Sequence, residues 1–321
     1  MGSMGRRLAW GLLVLAAVAG CRSGEIGMRR DGASAPVDGP AAASDAALDG
    51  GAGSDAVAAD DGATVADDAG AGDAGAGDAG GADAIPVPPG WELVWSDEFD
   101  TPGMPDPANW GYEVGYVRNN EEQYYTDARS ENVRIENGAL VIEARQDNWN
   151  GNPITSGSIN TLGKRGFLYG RIEARALLPT GNGTWPAIWT LGTNIVTVGW
   201  PTCGEIDIME YVGFEPLRIF GTVHMDEPAV GGTFDTTSPW TDWHVYAIEW
   251  FTDRIDVYVD TTKYFTYTND GGGNASWPFD KDQYLLLNLA IGGSWGGQHG
   301  VDASIFPARY YVDYVRYYRH L

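Results

Sequence analysis

Cysteine is nearly missing from this chain, with only Cys21 and Cys203 in 321 residues. Two thiols cannot build a disulfide framework. With only four His, no Cys/His spacing suits a zinc site either. After the N-terminal segment no run approaches about 18 consecutive apolar residues, so no later segment reads as a membrane-spanning helix. Phe, Tyr and Trp are absent between Trp10 and Trp91. Lys and Arg are absent from Asp31 to Ala84, where 44 of 54 residues are Ala, Gly or Asp. Such a stretch cannot bury enough apolar surface to offset the entropy lost on ordering, and it reads as disordered. Basic residues are scarce throughout: 20 Lys and Arg stand against 44 Asp and Glu, a net charge of −24. A surface of that sign repels phosphate backbones, which excludes a nucleic-acid partner. It suits polyanionic sugars no better, and a neutral polymer fits best.

The N-terminus reads as an address. Arg6 and Arg7 precede an apolar stretch from Leu8 to Val18, then Val18-Ala19-Gly20-Cys21. A charged start, a short apolar core and small residues before a cut describe an export signal. Cys21 after Ala-Gly resembles a bacterial lipobox, whose Cys is lipidated and becomes the first mature residue. Ordinary cleavage nearby, with secretion, is the alternative. Residue 22 is Arg, not the Asp that resembles an inner-membrane retention signal, so the outer membrane or cell surface is expected. Residues 1–21 are thus read as a lipoprotein-type signal peptide. Residues 22–85 are read as a linker spanning on average about 40–45 Å as a flexible coil. Residues 86–321 are read as one catalytic domain, expected to be monomeric.

In that last part strand signals are dense and helix signals nearly absent. Val133 to Glu136 is followed by Asn137-Gly138 and then Ala139 to Arg145, a short hairpin pattern. Arg171–Leu177, Val245–Trp250, Ile255–Val259, Tyr264–Thr268 and Tyr310–Tyr318 alternate. Tyr284–Ile291 is continuously apolar, as a fully buried strand would be. Many short strands punctuated by Gly, Pro, Asn and Asp predict an all-β sandwich or jelly roll.

The most informative run is Gly204-Glu205-Ile206-Asp207-Ile208-Met209-Glu210-Tyr211-Val212-Gly213. On a regular strand Glu205 and Asp207 share one face while Glu210 points the other way. One extra residue near Ile208-Met209, a β-bulge, would bring Glu210 round to join them. Paired carboxyls are what retaining glycoside hydrolysis needs: one attacks the anomeric carbon, the other protonates the leaving oxygen and then deprotonates water. Crowded negative charge also raises the pKa of the group that must begin protonated. Three acids on the solvent face of an edge strand are the plainer reading. The apolar Ile206, Ile208 and Met209 and the flanking Trp200, Tyr211 and Phe214 argue against it.

Glu-Ile-Asp-Ile-Met-Glu-Tyr-Val-Gly resembles the active-site strand of family 16 glycoside hydrolases, in the bulged form of the laminarinase-like members. Other runs resemble that family in the same order: Trp95-Ser-Asp-Glu-Phe-Asp100, Asn119-Asn120-Glu-Glu-Gln-Tyr-Tyr-Thr126, Tyr169-Gly-Arg-Ile-Glu-Ala-Arg175 and Trp185-Pro-Ala-Ile-Trp189. Gly221-Thr-Val-His224, Asn288-Leu-Ala-Ile-Gly-Gly-Ser-Trp295 and Val312-Asp-Tyr-Val-Arg316 complete the series. The resemblance implies a concanavalin-like β-jelly-roll sandwich of two antiparallel sheets with an open concave cleft. It implies Glu205 as nucleophile, Asp207 as assisting carboxylate and Glu210 as acid/base. It implies Asn120 and His224 as sugar-binding residues; Trp185, Trp189 and Trp295 could stack on sugar faces, with Trp189 the most core-like of the three. It implies no cofactor for catalysis and a structural calcium held by Glu98, the carbonyl of Gly138 and Asp313. The longer acid spacing favours β-1,3-glucan of the laminarin type. Tyr116-Val117-Arg118 stands where the family often has Gly-Trp-Gly, and Gly296-Gly297 where Pro-Gly is common, so subsite preference is open. Cys203 reads as a buried, inert thiol. The competing functions are a non-catalytic glucan-binding module, a glucan transglycosylase, and a hydrolase of mixed-linkage glucan or of galactan.

Overall fold

The structure is a computed structural model that describes residues 87–321. The export signal, the linker and Cys21 lie outside the described residues. Seventeen strands follow in chain order. The first seven are β1 (Trp91–Asp97), β2 (Gly111–Tyr112), β3 (Gln123–Tyr125), β4 (Val133–Glu136), β5 (Ala139–Ala144), β6 (Ile154–Ser156) and β7 (Ser158–Asn160). Then come β8 (Gly170–Leu177), β9 (Thr184–Gly192), β10 (Glu205–Glu210), β11 (Arg218–His224) and β12 (Val230–Asp235). The last are β13 (His244–Trp250), β14 (Arg254–Val259), β15 (Thr262–Thr268), β16 (Gln283–Ile291) and β17 (Ala308–His320).

Two antiparallel sheets dominate. One has the order β15-β14-β13-β8-β17-β5-β4, with β1 added beside β17; the other has the order β12-β11-β10-β9-β16-β7-β2. The expected all-β sandwich is what forms. Its local causes are visible in the β4–β5 hairpin, where Asn137 and Gly138 both take positive φ (53° and 74°), the pair of angles a tight hairpin turn requires. The alternating strands put Ile172, Ala174, Ile248, Ile255, Val257, Val312 and Val315 into a single core between the sheets. From the facing sheet, Ile188, Ile206, Ile208, Met209, Leu285 and Leu287 complete it.

The seven-stranded sheet also carries apolar residues on its other face. Ala187, Trp189, Leu191, Cys203, Tyr284 and Leu286 form one small cluster there, and Trp185, Val212 and Ala290 form another. This is why β16 is apolar at nearly every position: all nine of its residues are buried, some in the core and some in the floor of the opposite face. The catalytic-type acids of β10 lie on that floor.

Candidate active site

β10 runs between β9 and β11. Glu205 pairs with Leu191 and Asp207 with Trp189, after which Met209 pairs with Ile188 and Glu210 with Ala187. Toward β11, Asp207 pairs with Thr222 and Glu210 with Phe220. The register therefore slips by one residue on both sides, and the extra residue lies at Ile208-Met209. The bulge expected from the spacing is present. Its consequence is the one that chemistry requires: Ile206, Ile208 and Met209 are fully buried in the core, and Glu205, Asp207 and Glu210 return to the floor. Past the strand the chain turns at Gly213, where a Cβ would lie 1.8 Å from the carbonyl oxygen of Gly181, so no side chain fits.

Each acid has a different partner. Trp200 Nε1 donates to Glu205 Oε2 at 2.8 Å, and Trp185 Nε1 donates to Glu210 Oε1 at 3.1 Å. Asp207, 2% exposed, lies 3.0 Å from His224 Nε2, which is 3.8 Å from Glu205 Oε1. Among the described residues no Lys or Arg side chain pairs with any of the three. Their donors are neutral indoles and one imidazole.

The electrostatics follow. Burial and the charge of Asp207 push Glu205 above the ordinary carboxylate range, while His224, the Trp200 N–H and the charge of Arg118 pull against that rise. Burial pushes Glu210 well up, and Asp207 and Glu205 both add to it; only the Trp185 N–H and the more distant His224 oppose. Glu205 has more that favours its anion, and Glu210 has two carboxylates against it. The proton retained by the pair therefore belongs on Glu210. Burial pulls His224 down, but its hydrogen bond to Asp207 and the charges of all three acids outweigh that and carry it up to about 9. The imidazole is then a cation near neutrality, in close contact with the Asp207 carboxylate. Cys203 is buried, and burial together with Glu205 pushes its thiol up to about 11, as an inert side chain requires.

The other candidate residues fall in distinct places. Trp185 is buried, makes an edge contact with half-buried Trp295 (ring centroids 5.5 Å apart) and so joins Trp295 to Glu210. Trp295 also meets Phe220 edge-on at 4.8 Å. Asn120 is exposed at φ 52°, in a loop tied to the Trp295 loop: Ser294 N donates to Asn119 O at 2.8 Å, and Glu122 N to Ile291 O at 2.9 Å. Trp189 lies on the floor beside Asp207, 6% exposed, with its Nε1 donating to Asn288 Oδ1 at 2.7 Å.

Several further residues belong to the site without a strong local signal in the sequence. Trp200, an aromatic flanking the acidic strand in sequence, is 45% exposed and donates its indole N–H to Glu205. On the same face as Trp189 a buried polar chain supports it: Asn288 Nδ2 donates to Tyr125 Oη (3.0 Å), and Tyr125 Oη and Gln123 Nε2 both donate to Glu121 Oε2 (3.2 and 2.7 Å). The period-two spacing of Glu121, Gln123 and Tyr125 was the available signal for it.

Two groups of acids bear on metals. Glu205, Asp207 and His224 present donor atoms within 4.8 Å of one another, close enough for a three-donor cation site; the same closeness serves a shared-proton network. Glu98, Gly138 and Asp313 are brought to one region of the eight-stranded sheet, since Asp97 pairs with Val315 and Leu140 with Val312. The donors do not fit calcium as arranged. Both oxygens of Glu98 accept from Arg316 (3.0 and 2.7 Å), and Asp313 Oδ2 accepts from Arg175 at 2.7 Å. Carboxylates already facing guanidinium groups offer a hard cation few free oxygens and a repulsive field.

A family model described as Glycosyl hydrolases family 16 matches residues 120–316. A protein named Beta-glucanase from Rhodothermus marinus is 49% identical over 247 residues, covering 72% of this chain and 86% of that protein. Among solved structures, the laminarinase from Rhodothermus marinus superposes with a TM-score of 0.70 at 48% identity, covering 72% of this chain and 98% of its own. A non-specific endo-β-1,3(4)-glucanase, crystallised as a mutant with a glucan oligosaccharide at its active site, does so with a TM-score of 0.70 at 43% identity. It is matched over 74% of this chain and 98% of its own.

Proposed function

The chain belongs to glycosyl hydrolase family 16, and from that premise we propose that it is a retaining endo-β-1,3-glucanase acting on laminarin-type glucan. The observation that carries this reading is the bulge in β10, which puts Glu205, Asp207 and Glu210 on one face with no guanidinium or ammonium partner. Catalysis needs no cofactor. The roles follow from the surroundings of each acid. Glu205, whose anion is favoured by the Trp200 N–H and His224, attacks the anomeric carbon. Glu210, which holds its proton, delivers it to the departing glycosidic oxygen from the carboxyl oxygen that Trp185 Nε1 leaves free. The glycosyl group is then bonded to Glu205, and Glu210, now ionised, takes a proton from water as it attacks. Asp207, tied to protonated His224, holds the charge pattern that keeps these two roles apart. Two inversions return the starting configuration.

Trp185, Trp295 and Phe220 form an aromatic corner at the Glu210 end of the strand, and Trp200 forms a second aromatic surface at the Glu205 end. Pyranose rings are apolar above and below, so both surfaces suit a neutral sugar chain crossing the acids. Calcium has no part in this proposal, because Glu98 and Asp313 are spent on arginines. Export and lipid anchoring through Cys21, at the outer membrane or cell surface, complete the reading; Arg6, Arg7 and the Leu8–Val18 stretch support it. Fractionating cells that carry Cys21→Ser checks the anchor, since that variant should leave the membrane fraction.

Proton NMR of fresh laminarin digests tests the main reading. The β-anomer should appear first, and short β-1,3-oligosaccharides should accumulate. An initial α-anomer, or no cleavage of laminarin beside cleavage of a galactan, overturns it. Comparing laminarin with lichenan measures the tolerance for mixed linkage that the non-specific relative's name describes.

A further inference from the structure

Arg118 reaches the floor of the cleft from the segment between β2 and β3, where it is 22% exposed. Its guanidinium carbon lies 4.8 Å from the ring centroid of Trp189. One of its nitrogens, Nη2, donates to Glu113 Oε1, and the other oxygen of Glu113 accepts from Ser158 Oγ at 2.6 Å. The guanidinium is thereby fixed in place by a strand of the same sheet. Trp189 is the cross-strand partner of Asp207, so its ring is the aromatic face nearest in register to the central acid. Its N–H is consumed by Asn288, and its face is capped by the cation.

A sugar crossing this part of the floor therefore meets a guanidinium plane before it meets an indole. The ring quadrupole attracts a cation over Trp, and the ion pair with Glu113 adds to that hold, so a neutral sugar offering only apolar contact does not displace it. Guanidinium N–H groups are directional donors to oxygens, and its plane packs on apolar faces. The geometry points to Arg118 as the specificity-determining sugar contact beside Asp207: a pyranose of the neutral glucan is held there by hydrogen bonds from the guanidinium and packing on its plane, in place of stacking on Trp189. This inference rests on the glucan reading of the site.

Binding in a background without turnover separates the two. In Glu205→Gln protein, a laminari-oligosaccharide long enough to fill the cleft is titrated calorimetrically. Adding Arg118→Met keeps a stem of similar length over Trp189 but removes every donor; it should weaken binding about tenfold, the loss of a hydrogen bond to a charged donor. Adding Arg118→Lys should recover little of that, because an ammonium has no planar face. Trp189→Phe should weaken binding less than Arg118→Met. In the active enzyme Arg118→Met should raise KM for laminarin, as for a lost binding contact. Wild-type affinity in the Arg118→Met protein overturns the inference, and so does a larger loss from Trp189→Phe. If the Glu205→Gln protein binds no β-1,3-glucan and the wild type cleaves none, the glucan reading itself falls.

Discussion

The two outward faces of the sandwich both carry buried acids, and they treat them in opposite ways. On the eight-stranded sheet Glu143, with its side chain 1% exposed, is met by Arg134, Arg145 and Arg309. Asp256 is met by Arg254 and Lys263, and Glu173 by Arg171. Burial would raise Glu143, but Arg134 and Arg309 outweigh it and hold that carboxyl below its ordinary range; Asp256 is likewise held down, by Thr266, Arg254 and Lys263. On the cleft face Glu205 and Glu210 have indole donors and each other, and both are pushed up. Burial is common to the two faces. The difference is an Arg or Lys ion pair. An acid given a guanidinium is locked as an anion and stabilises the fold; an acid denied one can carry a proton and do chemistry, at a cost in stability.

Substitutions at the cleft sharpen this contrast most. Glu205→Gln should lower turnover of laminarin by at least about 10⁴-fold, as removal of a bond-forming group does, with the fold and glucan binding intact. Glu210→Ala should lose about 10²–10⁴-fold on laminarin, the usual worth of a general acid. That loss should shrink on an aryl glycoside with a good leaving group, and added azide should restore turnover and yield the β-glycosyl azide. A full defect on the activated substrate would remove Glu210 from the acid/base role. Neither acid should be needed for stability, and circular-dichroism melting should show both variants at or above the wild-type midpoint.

The opposite outcome is expected on the other face. Glu143→Ala leaves three arginines without their shared acid and should cost about 3 kcal/mol, the scale of breaking a buried pair. Activity at a temperature where the variant is folded should be unchanged. If Glu143→Ala melts like the wild type, the contrast between the faces is wrong.

The smallest effect is the pH dependence of stability, and its sign differs between the faces. Glu205 and Glu210 bind protons more tightly folded than unfolded. Their ionisation therefore costs stability as pH rises from the ordinary carboxylate range through their raised folded values. Glu143 and Asp256 bind protons less tightly folded, so the stability they contribute is present above the ordinary range and is lost as pH falls through their depressed values. Urea midpoints should accordingly pass through a maximum in mildly acidic buffer. The decline on its alkaline side should flatten in Glu205→Gln/Glu210→Gln protein and persist in Glu143→Ala protein.

Much of this was legible in the chain itself. The β4–β5 hairpin followed from Asn137-Gly138, and the buried strand β16 from its apolar run, because both signals are local. The bulge at Ile208-Met209 was legible for a chemical reason: only a slipped register reconciles Glu210 with Glu205 and Asp207. What stayed illegible depended on partners far away in sequence. Nothing near Glu98 or Asp313 announces that Arg316 and Arg175 will occupy them. Nothing near Trp189 announces that Arg118 will cover it. Trp200 lies five residues from Glu205, yet only the path of the intervening turn aims its N–H at that carboxylate.

The sequence by itself determined the strand periodicity, the order of the motifs and which residue types could do acid/base chemistry, because these depend on side-chain identity and on spacings of two or three residues. The tertiary structure decided which acids meet a cation and which do not. Ionisation of a buried carboxyl depends on charges within a few ångströms; at Glu143 two of them, Arg134 and Arg145, come from within ten residues, but the third, Arg309, arrives from 166 residues away, and only strand pairing brings all three to one carboxyl.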